Sequence, residues 1–260
     1  MMLNTTLAQL RDLKLAGMAA AVEEQLSSGA STALSFEERL ALMVDREVHQ
    51  RDDKRRAALL KKARLKYPQA CIEDVDGRAG RGFERAALMS LALSRWVEDG
   101  SAILITGATG SGKSWLACAL AQYACRRGQS ALYLRMPRLG EELRLLHGNG
   151  GFARWLQALA RTDVLLLDDW GLAALDSTAR SDLLELIDDR AGTRATIITS
   201  QLPVEHWHAW IGDATIADAI LDRLLSRSQR LALKGKSLRA GKADAAGGAP
   251  GASDATAPRT

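Results

Sequence analysis

Eight consecutive residues match the spacing of a phosphate-binding loop, in which a glycine and a lysine–serine pair close the motif. Glycines allow the backbone to curl so that successive amides point inward at phosphate. We expect Lys113 to place its ammonium against the β and γ phosphates of ATP, and the Ser114 hydroxyl to ligate Mg²⁺. The alternative is a glycine-rich turn that binds nothing. The predicted nucleotide-binding residues are Gly107, Ala108, Thr109, Gly110, Ser111, Gly112, Lys113 and Ser114.

Two carboxylates end the apolar run that begins at Val164. Beside a phosphate loop, a buried strand that ends in a carboxylate supplies an outer-sphere contact to magnesium, which we assign to Asp168. Asp169 follows directly and is expected to polarise the attacking water as general base. Without the loop, two aspartates at a strand end would more often be a structural strand cap. Their pairing with the loop favours catalysis.

A polar pair, Ser200 and Gln201, follows another apolar run. We expect one of them to sense the γ phosphate, with Gln201 as first choice and Ser200 as second. The alternative is a strand-ending turn that leads to Pro203. A GTPase would carry an N-K-x-D motif, but the only asparagines, Asn4 and Asn149, are not followed by lysine. A small-molecule kinase would usually carry a lid insertion.

The elements that must position these residues are short apolar strands that alternate with helices. We place strands at 102–106, 130–134, 164–168, 195–199 and 230–234, with helices that begin near Lys113, Pro137, Ser177 and Ala214. Such strands predict an α/β fold with a parallel five-stranded sheet covered by helices on both faces. The match to a phosphate-binding loop is a stronger prediction in this context, because an apolar strand precedes the motif and a helix follows it.

The residues before this sheet read as helices without a strand signal, and we expect a small all-α N-terminal domain. Ser35 and Glu38 have the spacing of a capping box. The helix that they open is expected to bury Leu40, Met43 and Val44. The predicted organisation is a helical domain at 1–68, a connecting segment at 69–99, an ATPase domain at 100–240 and a disordered tail at 241–260, which is poor in large apolar residues.

Composition excludes several other classes of protein. The 260 residues are 47% hydrophobic and 25% charged, with a formal net charge of +4, as in a soluble globular protein. The N-terminus is too charged for a secretory signal, and no apolar run is long enough to span a membrane. The three cysteines lack metal-binding spacing, and we expect buried free thiols. These features predict a cytoplasmic protein without a membrane contact.

Basic residues concentrate in two stretches. Residues 51–66, hereafter the basic segment, contain eight basic and two acidic residues, and residues 223–242 contain seven basic residues and no acid. A charge run is often only a solvated face, but lysines and arginines in this number also suit nucleic-acid phosphates. No aromatic residues interleave with them, which favours duplex DNA over a base-stacking single-strand surface.

Together these pieces resemble the AAA+ ATPases, and more narrowly the family of IstB, a transposition helper ATPase of bacterial insertion sequences, and of the helicase loader DnaC. The resemblance covers about residues 5–240. It is carried by LRDLKLAGMAAAVEEQL, SFEERLALMVDRE, GATGSGKSWLACALA and VLLLDDWG. Its most specific part is TSQLPVEHWHAWIGDATIADAILDRLLSRSQRLALKGKSLR.

The resemblance implies further roles. Arg223, within Asp222-Arg223-Leu224, corresponds to an arginine finger that reaches the ATP of a neighbouring subunit; the alternative is a surface arginine. Arg239 lies where a sensor-2 arginine would contact nucleotide, although we expect no helical lid domain after it. Asp169 stands where the AAA+ pattern usually has Glu, which implies slow hydrolysis. The DNA contacts that we predict are Arg55, Arg56, Lys61, Lys62, Arg138, Arg144, Arg154 and Arg227.

The function implied is that of an oligomeric ATPase, with ATP at subunit interfaces, that assembles on duplex DNA and delivers a transposase to it. One alternative is a DnaC-like helicase loader that prefers single-stranded DNA. Another is an adaptor that binds ATP, barely hydrolyses it and acts through its helical N-terminal arm.

Overall fold

The computed structural model describes residues 2–75 and 84–234. The strands within these ranges are β1 (Ala102–Gly107), β2 (Ala131–Arg135), β3 (Val164–Trp170), β4 (Ala195–Ser200) and β5 (Ser228–Leu233). The helices are α1 (Met2–Asp12), α2 (Ala16–Ser27), α3 (Phe36–Ala63), α4 (Arg85–Leu93), α5 (Lys113–Arg126), α6 (Met136–Gly148), α7 (Phe152–Arg161), α8 (Ser177–Arg190), α9 (Trp207–Ile211) and α10 (Ala214–Ser226). All five strands occur where the sequence predicts them, within two residues at either end.

The five strands form one parallel sheet in the order β2-β3-β4-β1-β5. The predicted parallel five-stranded sheet is therefore confirmed. Because the strands are parallel, their carboxyl ends lie along the same edge, and ligands bind at that edge in open α/β sheets. The order places β4 between β1, which leads into the glycine loop, and β3, which ends in the two aspartates.

Alternation along the strands divides the core into two layers. Ile103 and Ile105 of β1 pack on one face with α5, α4 and the end of α3. Ala102 and Leu104 pack on the other face, where α6 to α10 lie. Successive side chains of a strand point to opposite faces, so apolar residues at every position require helices on both sides. Each fully buried Ile or Leu contributes about 1.5–3 kcal/mol of transfer free energy.

The N-terminal helices are positioned by specific polar contacts. The predicted capping box is confirmed: the Glu38 amide donates to the Ser35 hydroxyl, and the Ser35 amide donates to the Glu38 carboxylate at 2.7 Å. Glu47 of α3 accepts hydrogen bonds from the amides of Gly17 and Met18 at the start of α2. A Cβ at Gly17 would lie 2.7 Å from the Glu47 Cα atom, so glycine permits the two helices to approach this closely.

One expectation for α3 is wrong. Leu40 and Val44 are 40% and 45% exposed, while Met43 is half-buried. Within the described residues α2 packs against the side of α3 that carries Met43 and Glu47, and the neighbouring side stays open. Helical periodicity shows which residues share a face, but it does not show whether a partner covers that face.

The far end of α3 is attached to the sheet domain. Ala63, Leu65, Ala70 and Ile72 are buried in the core layer that contains α5. The division of the chain at residue 68 and the connecting segment 69–99 stay predictions, as do the ATPase domain bounds at 100–240. The tail 241–260 lies outside the described residues.

Two other expectations concern the thiols and the membrane. Cys118 and Cys125 are free and buried, as predicted, and burial raises the pKa of each thiol to about 11. Cys71 is free and half-buried. Across the two described ranges, no helix combines the length and the apolar character that crossing a bilayer requires.

Candidate nucleotide-binding and catalytic site

The loop between β1 and α5 has the curled backbone that a phosphate loop requires. Gly107, Gly110 and Gly112 have positive φ angles of 149°, 80° and 95°, which glycine adopts without steric cost. A Cβ at Gly107 would lie 2.4 Å from the carbonyl oxygen of Leu233 in β5. Glycine is therefore required at this position both for its φ angle and for its close neighbour.

Lys113 begins α5, and its ammonium lies within the loop. Its Nζ donates to the carbonyl oxygens of Gly107 at 2.8 Å and Ala108 at 2.9 Å. The residue is only 7% exposed, so the charge is enclosed by the loop at the first residue of α5, where a helix N-terminus favours anions. Among the described residues, the Ser111 hydroxyl is buried without a hydrogen-bond partner. A buried donor of this kind suits a phosphate oxygen.

Asp168 is fully buried and forms the polar centre of the site. Its Oδ1 accepts hydrogen bonds from Ser114 Oγ at 2.6 Å and from Thr199 Oγ1, and its Oδ2 accepts from Tyr133 Oη at 2.6 Å. Burial alone would raise the pKa of Asp168, but these hydrogen bonds outweigh it and hold the pKa below its ordinary value. Burial and the neighbouring carboxylate raise the pKa of Tyr133. Asp168 therefore stays ionised, as a metal contact must.

The donors at this centre suit Mg²⁺. The Ser114 hydroxyl and the Asp168 carboxylate are hard oxygen ligands that already lie in hydrogen-bond contact, and magnesium is usually held by one or two such groups together with phosphates and waters. The described residues contain no cluster of three or more His, Cys, Asp or Glu side chains able to hold a metal.

Asp169 lies at an irregularity in β3. Its φ is 64°, and the pairing of β3 with β4 shifts register between Leu167 and Trp170. In a regular strand the two aspartates would point to opposite faces. The left-handed residue turns Asp169 out of this alternation, at a cost of about 1–3 kcal/mol. Strain of this kind is tolerated where function requires it.

The Asp169 carboxylate is paired with a residue that sequence reasoning missed. Arg135, at the end of β2, donates from Nε to Asp169 Oδ2 at 3.0 Å. The Asp169 side chain is 15% exposed, and the backbone amide of Asp169 donates to Thr199 Oγ1. The hydrogen bond from Arg135 to Asp169 raises the pKa of the guanidinium. The only sequence signal that could have identified Arg135 as a site residue is its position as a charged residue at the carboxyl end of an apolar strand.

The two sensor candidates occupy different positions. Gln201 is exposed, and its Oε1 accepts from the Thr109 hydroxyl at 2.6 Å, so the structure brings it to the glycine loop. Ser200 is buried, donates to the carbonyl of Trp170 at 2.7 Å and accepts from the amide of Leu202. Its hydroxyl is thus engaged in joining β3 to the turn after β4. A cavity of about 170 Å³ separates Asp169 from Gln201.

Arg223 lies on α10, far from the glycine loop of the same chain. Its guanidinium bonds to Asp188 and donates to the carbonyl of Ala219 at 3.0 Å. It lines a cavity of about 320 Å³ that also contacts Ala102 and Thr196, at the amino ends of β1 and β4. Three further arginines line this cavity: Arg190, Arg194 and Arg227.

Arg190 gives this cavity a positive wall. It is 1% exposed, and its guanidinium donates to the carbonyls of Leu159, Thr162 and Ala195. Burial, and to a smaller degree the charge of Arg194, lower the pKa of Arg190 to about 9 against the opposing effect of Asp163. The described structure therefore holds a cluster of guanidinium groups beside Arg223.

The predicted DNA contacts all lie on the surface. Arg138 and Arg144 belong to α6, Arg154 to α7, and Arg227 to the end of α10. Four of the eight lie on the exposed part of α3: Arg55, Arg56, Lys61 and Lys62. Arg239 lies outside the described residues, so its predicted sensor role stays a prediction.

The fold defines the class of protein. The solved structure of the DnaC helicase loader superposes with a TM-score of 0.55 at 20% identity, covering 65% of this chain and 99% of that chain. The replication initiator DnaA bound to AMPPCP and single-stranded DNA gives a TM-score of 0.55 at 18% identity, covering 66% of this chain and 52% of that one. The chain has the AAA+ fold of P-loop ATPases, as predicted.

Sequence relatives narrow this class. The profile of a family described as IstB-like ATP binding protein matches residues 8–246. The ATP-binding protein of insertion sequence IS1162 from Pseudomonas fluorescens is 58% identical over 203 residues, covering 78% of this chain and 88% of the relative. An insertion-sequence ATP-binding protein of Sinorhizobium fredii is 48% identical over 239 residues, covering 92% and 97%. The chain belongs to the IstB-like family of ATP-binding AAA+ ATPases, and the predicted family is confirmed.

Proposed function

We propose that this protein is an ATP-dependent helper of transposition that assembles as an oligomer on duplex target DNA and recruits or regulates a transposase. The names of its relatives connect them with insertion sequences, which supports the transposition part. The observation that best supports an oligomer is the position of Arg223, which lies at the end of the sheet opposite Lys113.

The geometry supports a site shared between subunits. Arg223 lines a cavity at Ala102, the first residue of β1, whereas the glycine loop begins at Gly107, the last residue of that strand. A strand rises about 3.3 Å per residue, so these ends lie roughly 17 Å apart. An arginine side chain cannot cross that distance. An arginine finger at this position acts on the nucleotide of a neighbouring chain, and the other cavity arginines add positive charge to the same face.

The residues around the glycine loop, which form the part of the shared site opposite Arg223, have separate roles in ATP hydrolysis. Magnesium, when bound, neutralises charge on the β and γ phosphates. Lys113 holds those phosphates, Asp168 with Ser114 holds the metal, and Gln201 contacts the γ phosphate. Asp169 orients the attacking water and accepts its proton. Arg135 must release the Asp169 carboxylate before it can do so, which favours slow basal turnover.

Asp169→Asn is expected to separate binding from hydrolysis. Asparagine keeps the size of the side chain, but it cannot accept the proton, so ATP binding should persist while turnover falls by about 10²–10⁴-fold. ATP-dependent DNA complexes should then last longer than those of the wild type. Phosphate release and DNA off-rates measure the two effects. Turnover close to that of the wild type would show that another carboxylate is the base.

Duplex DNA is supported by the charge and shape of α3. The helix has 28 residues, which corresponds to about 42 Å at 1.5 Å per residue. Much of the basic segment lies on its exposed second half. Phosphate contacts need several cations but no fixed spacing, and they position a protein without reading bases.

Salt dependence tests this proposal directly. Affinity for duplex should fall with salt at a log–log slope of about −0.9 per phosphate contact, and it should vary little with DNA sequence. A protein that closes around duplex should also need ATP and a minimum DNA length. Replacing Arg55, Arg56, Lys61 and Lys62 together with Gln should weaken binding and flatten the slope. A second set elsewhere on the surface is Arg138, Arg144 and Arg154; Arg227 is kept out of it because it lines the cavity beside Arg223.

The two sets of substitutions distinguish two DNA surfaces. If only the second set changes the slope, DNA lies on the ATPase domain and α3 serves a protein partner instead. A preference for single strands over duplex at equal salt would contradict the transposition proposal and favour the helicase-loader alternative. ATP binding with negligible turnover in the presence of DNA would favour the adaptor.

A further inference from the structure

The last residue of the basic segment, Lys66, does not lie with the other cations on the exposed helix. It follows α3 where the chain turns onto the sheet domain, between the buried residues Ala63, Leu65 and Ala70. Its Nζ lies 3.5 Å from Asp168 Oδ2, and its side chain is about one-third exposed. Lys66 therefore brings a charge from the helical arm to the centre of the nucleotide site.

The contacts of Asp168 show what this charge does. Oδ1 accepts from Ser114 and Thr199, and it is the oxygen next to the hydroxyl assigned to the metal. Oδ2 accepts from Tyr133 and Lys66. The buried carboxylate thus has a cation as well as hydroxyl partners, and the charge of Lys66 contributes to lowering the pKa of Asp168. One oxygen faces the loop, and the other is held by the base of α3 and by β2.

We infer that Lys66 is a positioning residue of the metal–nucleotide centre, through which the base of α3 and a hydrated magnesium ion compete for Asp168. This inference rests on the proposed role of Asp168 as the magnesium contact. Two cations at one carboxylate repel each other, since unit charges a few ångströms apart interact appreciably even at the effective dielectric of a protein surface. Metal binding therefore weakens the Lys66–Asp168 contact.

The competition links the nucleotide site to the arm. Lys66 is separated from α3 by only two residues, and the second of them, Leu65, is buried in the core together with Ala63, the last residue of the helix. Coupling between two binding events is reciprocal. If a partner that draws the base of α3 away from Asp168 raises the affinity for magnesium, then bound magnesium raises the affinity for that partner by the same factor. The arm would in this way report whether magnesium and nucleotide are bound, without a contact of its own to the nucleotide.

The test compares Lys66→Met, which keeps the length of the side chain and removes its charge, with Lys66→Arg, which keeps the charge. Lys54→Met is the matched control, because Lys54 lies about three turns earlier on the exposed surface of α3. The measurement is binding of a fluorescent ATP analogue to the full chain, without DNA, as Mg²⁺ is titrated. Lys66→Met should lower the half-saturating Mg²⁺ concentration by about three- to tenfold. Lys66→Arg and Lys54→Met should stay near the wild type.

Two further measurements separate this role from a structural one. Affinity for the analogue in EDTA should not rise in Lys66→Met, because no metal is present to compete. The thermal midpoint should fall modestly, because the buried Asp168 carboxylate loses a cationic partner. A purely structural role would lower the midpoint without lowering the Mg²⁺ requirement. Hydrogen exchange of the amides in residues 60–72 should rise in the wild type when Mg²⁺ is added to the nucleotide complex, and it should respond less in the variant. If Lys66→Met does not fold, Lys66→Gln takes its place.

The outcomes are distinguishable. An unchanged or increased Mg²⁺ requirement in folded Lys66→Met, with a normal response in the wild type, overturns the inference and leaves the magnesium site in place. A wild type whose analogue binding does not respond to Mg²⁺ overturns the proposed magnesium site itself, and the inference with it.

Discussion

Lys113→Ala is expected to abolish ATP binding at the nucleotide concentrations that half-saturate the wild type. The loop amides remain in the variant, but the phosphates lose their principal counter-charge. Hydrogen bonds to charged groups contribute about 1.5–3 kcal/mol each, so loss of contacts to two phosphates weakens binding by roughly a hundredfold or more. Fluorescent-nucleotide titration measures this loss, and ATP-dependent DNA binding should disappear with it.

The control for this variant is its fold. The Lys113 ammonium bonds to the carbonyls of Gly107 and Ala108, so its removal also loosens the loop, whereas the strands and the core layers keep their contacts. Circular dichroism should match the wild type, with a modestly lower thermal midpoint. Lys54→Ala, on exposed α3, should bind ATP normally. Tight ATP binding by folded Lys113→Ala would contradict the assignment of the loop.

The parts of the site that sequence predicts are those coded locally. The loop from Gly107 to Ser114 is contiguous in sequence, and each of its glycines has a positive φ angle. The strands are visible because parallel strands buried on both faces leave short, uninterrupted apolar runs. The capping box at Ser35 is predictable for the same reason, since both partners lie within one helical turn.

The parts that sequence does not reveal depend on contacts between distant segments. Tyr133 and Lys66 reach Asp168 from positions 35 and 102 residues away along the chain. From sequence alone, a tyrosine in an apolar strand would be interpreted as a core residue, and Lys66 would be interpreted as one more cation of the basic segment. Only the packing of the end of α3 against α5 shows that it has a different partner from its neighbours.

Asp169 and Ser200 illustrate two other limits. A run of apolar residues that ends in two aspartates does not disclose the left-handed backbone at Asp169, because tertiary context imposes that conformation. Ser200 and Gln201 are equivalent as polar residues after a strand, yet one bonds to Trp170 in the interior and the other contacts Thr109. The alternation of side chains at the end of β4 separates them.

Arg223→Ala is expected to leave ATP binding by an isolated subunit intact and to reduce hydrolysis by about 10³–10⁵-fold, the range found for arginine fingers. The binding residues of the same chain lie at the other edge of the sheet, so they lose no contact. The ion pair with Asp188 is also lost, but it is partly exposed and contributes little to stability. Equilibrium nucleotide binding and phosphate release measure the two effects, and Asp188→Asn is the control for the ion pair.

Mixing Arg223→Ala with Asp169→Asn subunits tests whether the site is shared. Neither variant turns over alone, but a subunit with an intact Asp169 can receive an intact Arg223 from an Asp169→Asn neighbour. In a head-to-tail ring with random equal mixing, about a quarter of the interfaces pair two intact halves, so activity should recover to roughly that fraction of the wild type. The double variant Asp169→Asn, Arg223→Ala mixed with either single variant should recover nothing, because no interface then has both groups. Mass measurement of differently tagged subunits shows whether mixed oligomers form. If they form and no mixing ratio restores hydrolysis, Arg223 does not complete a neighbour's site.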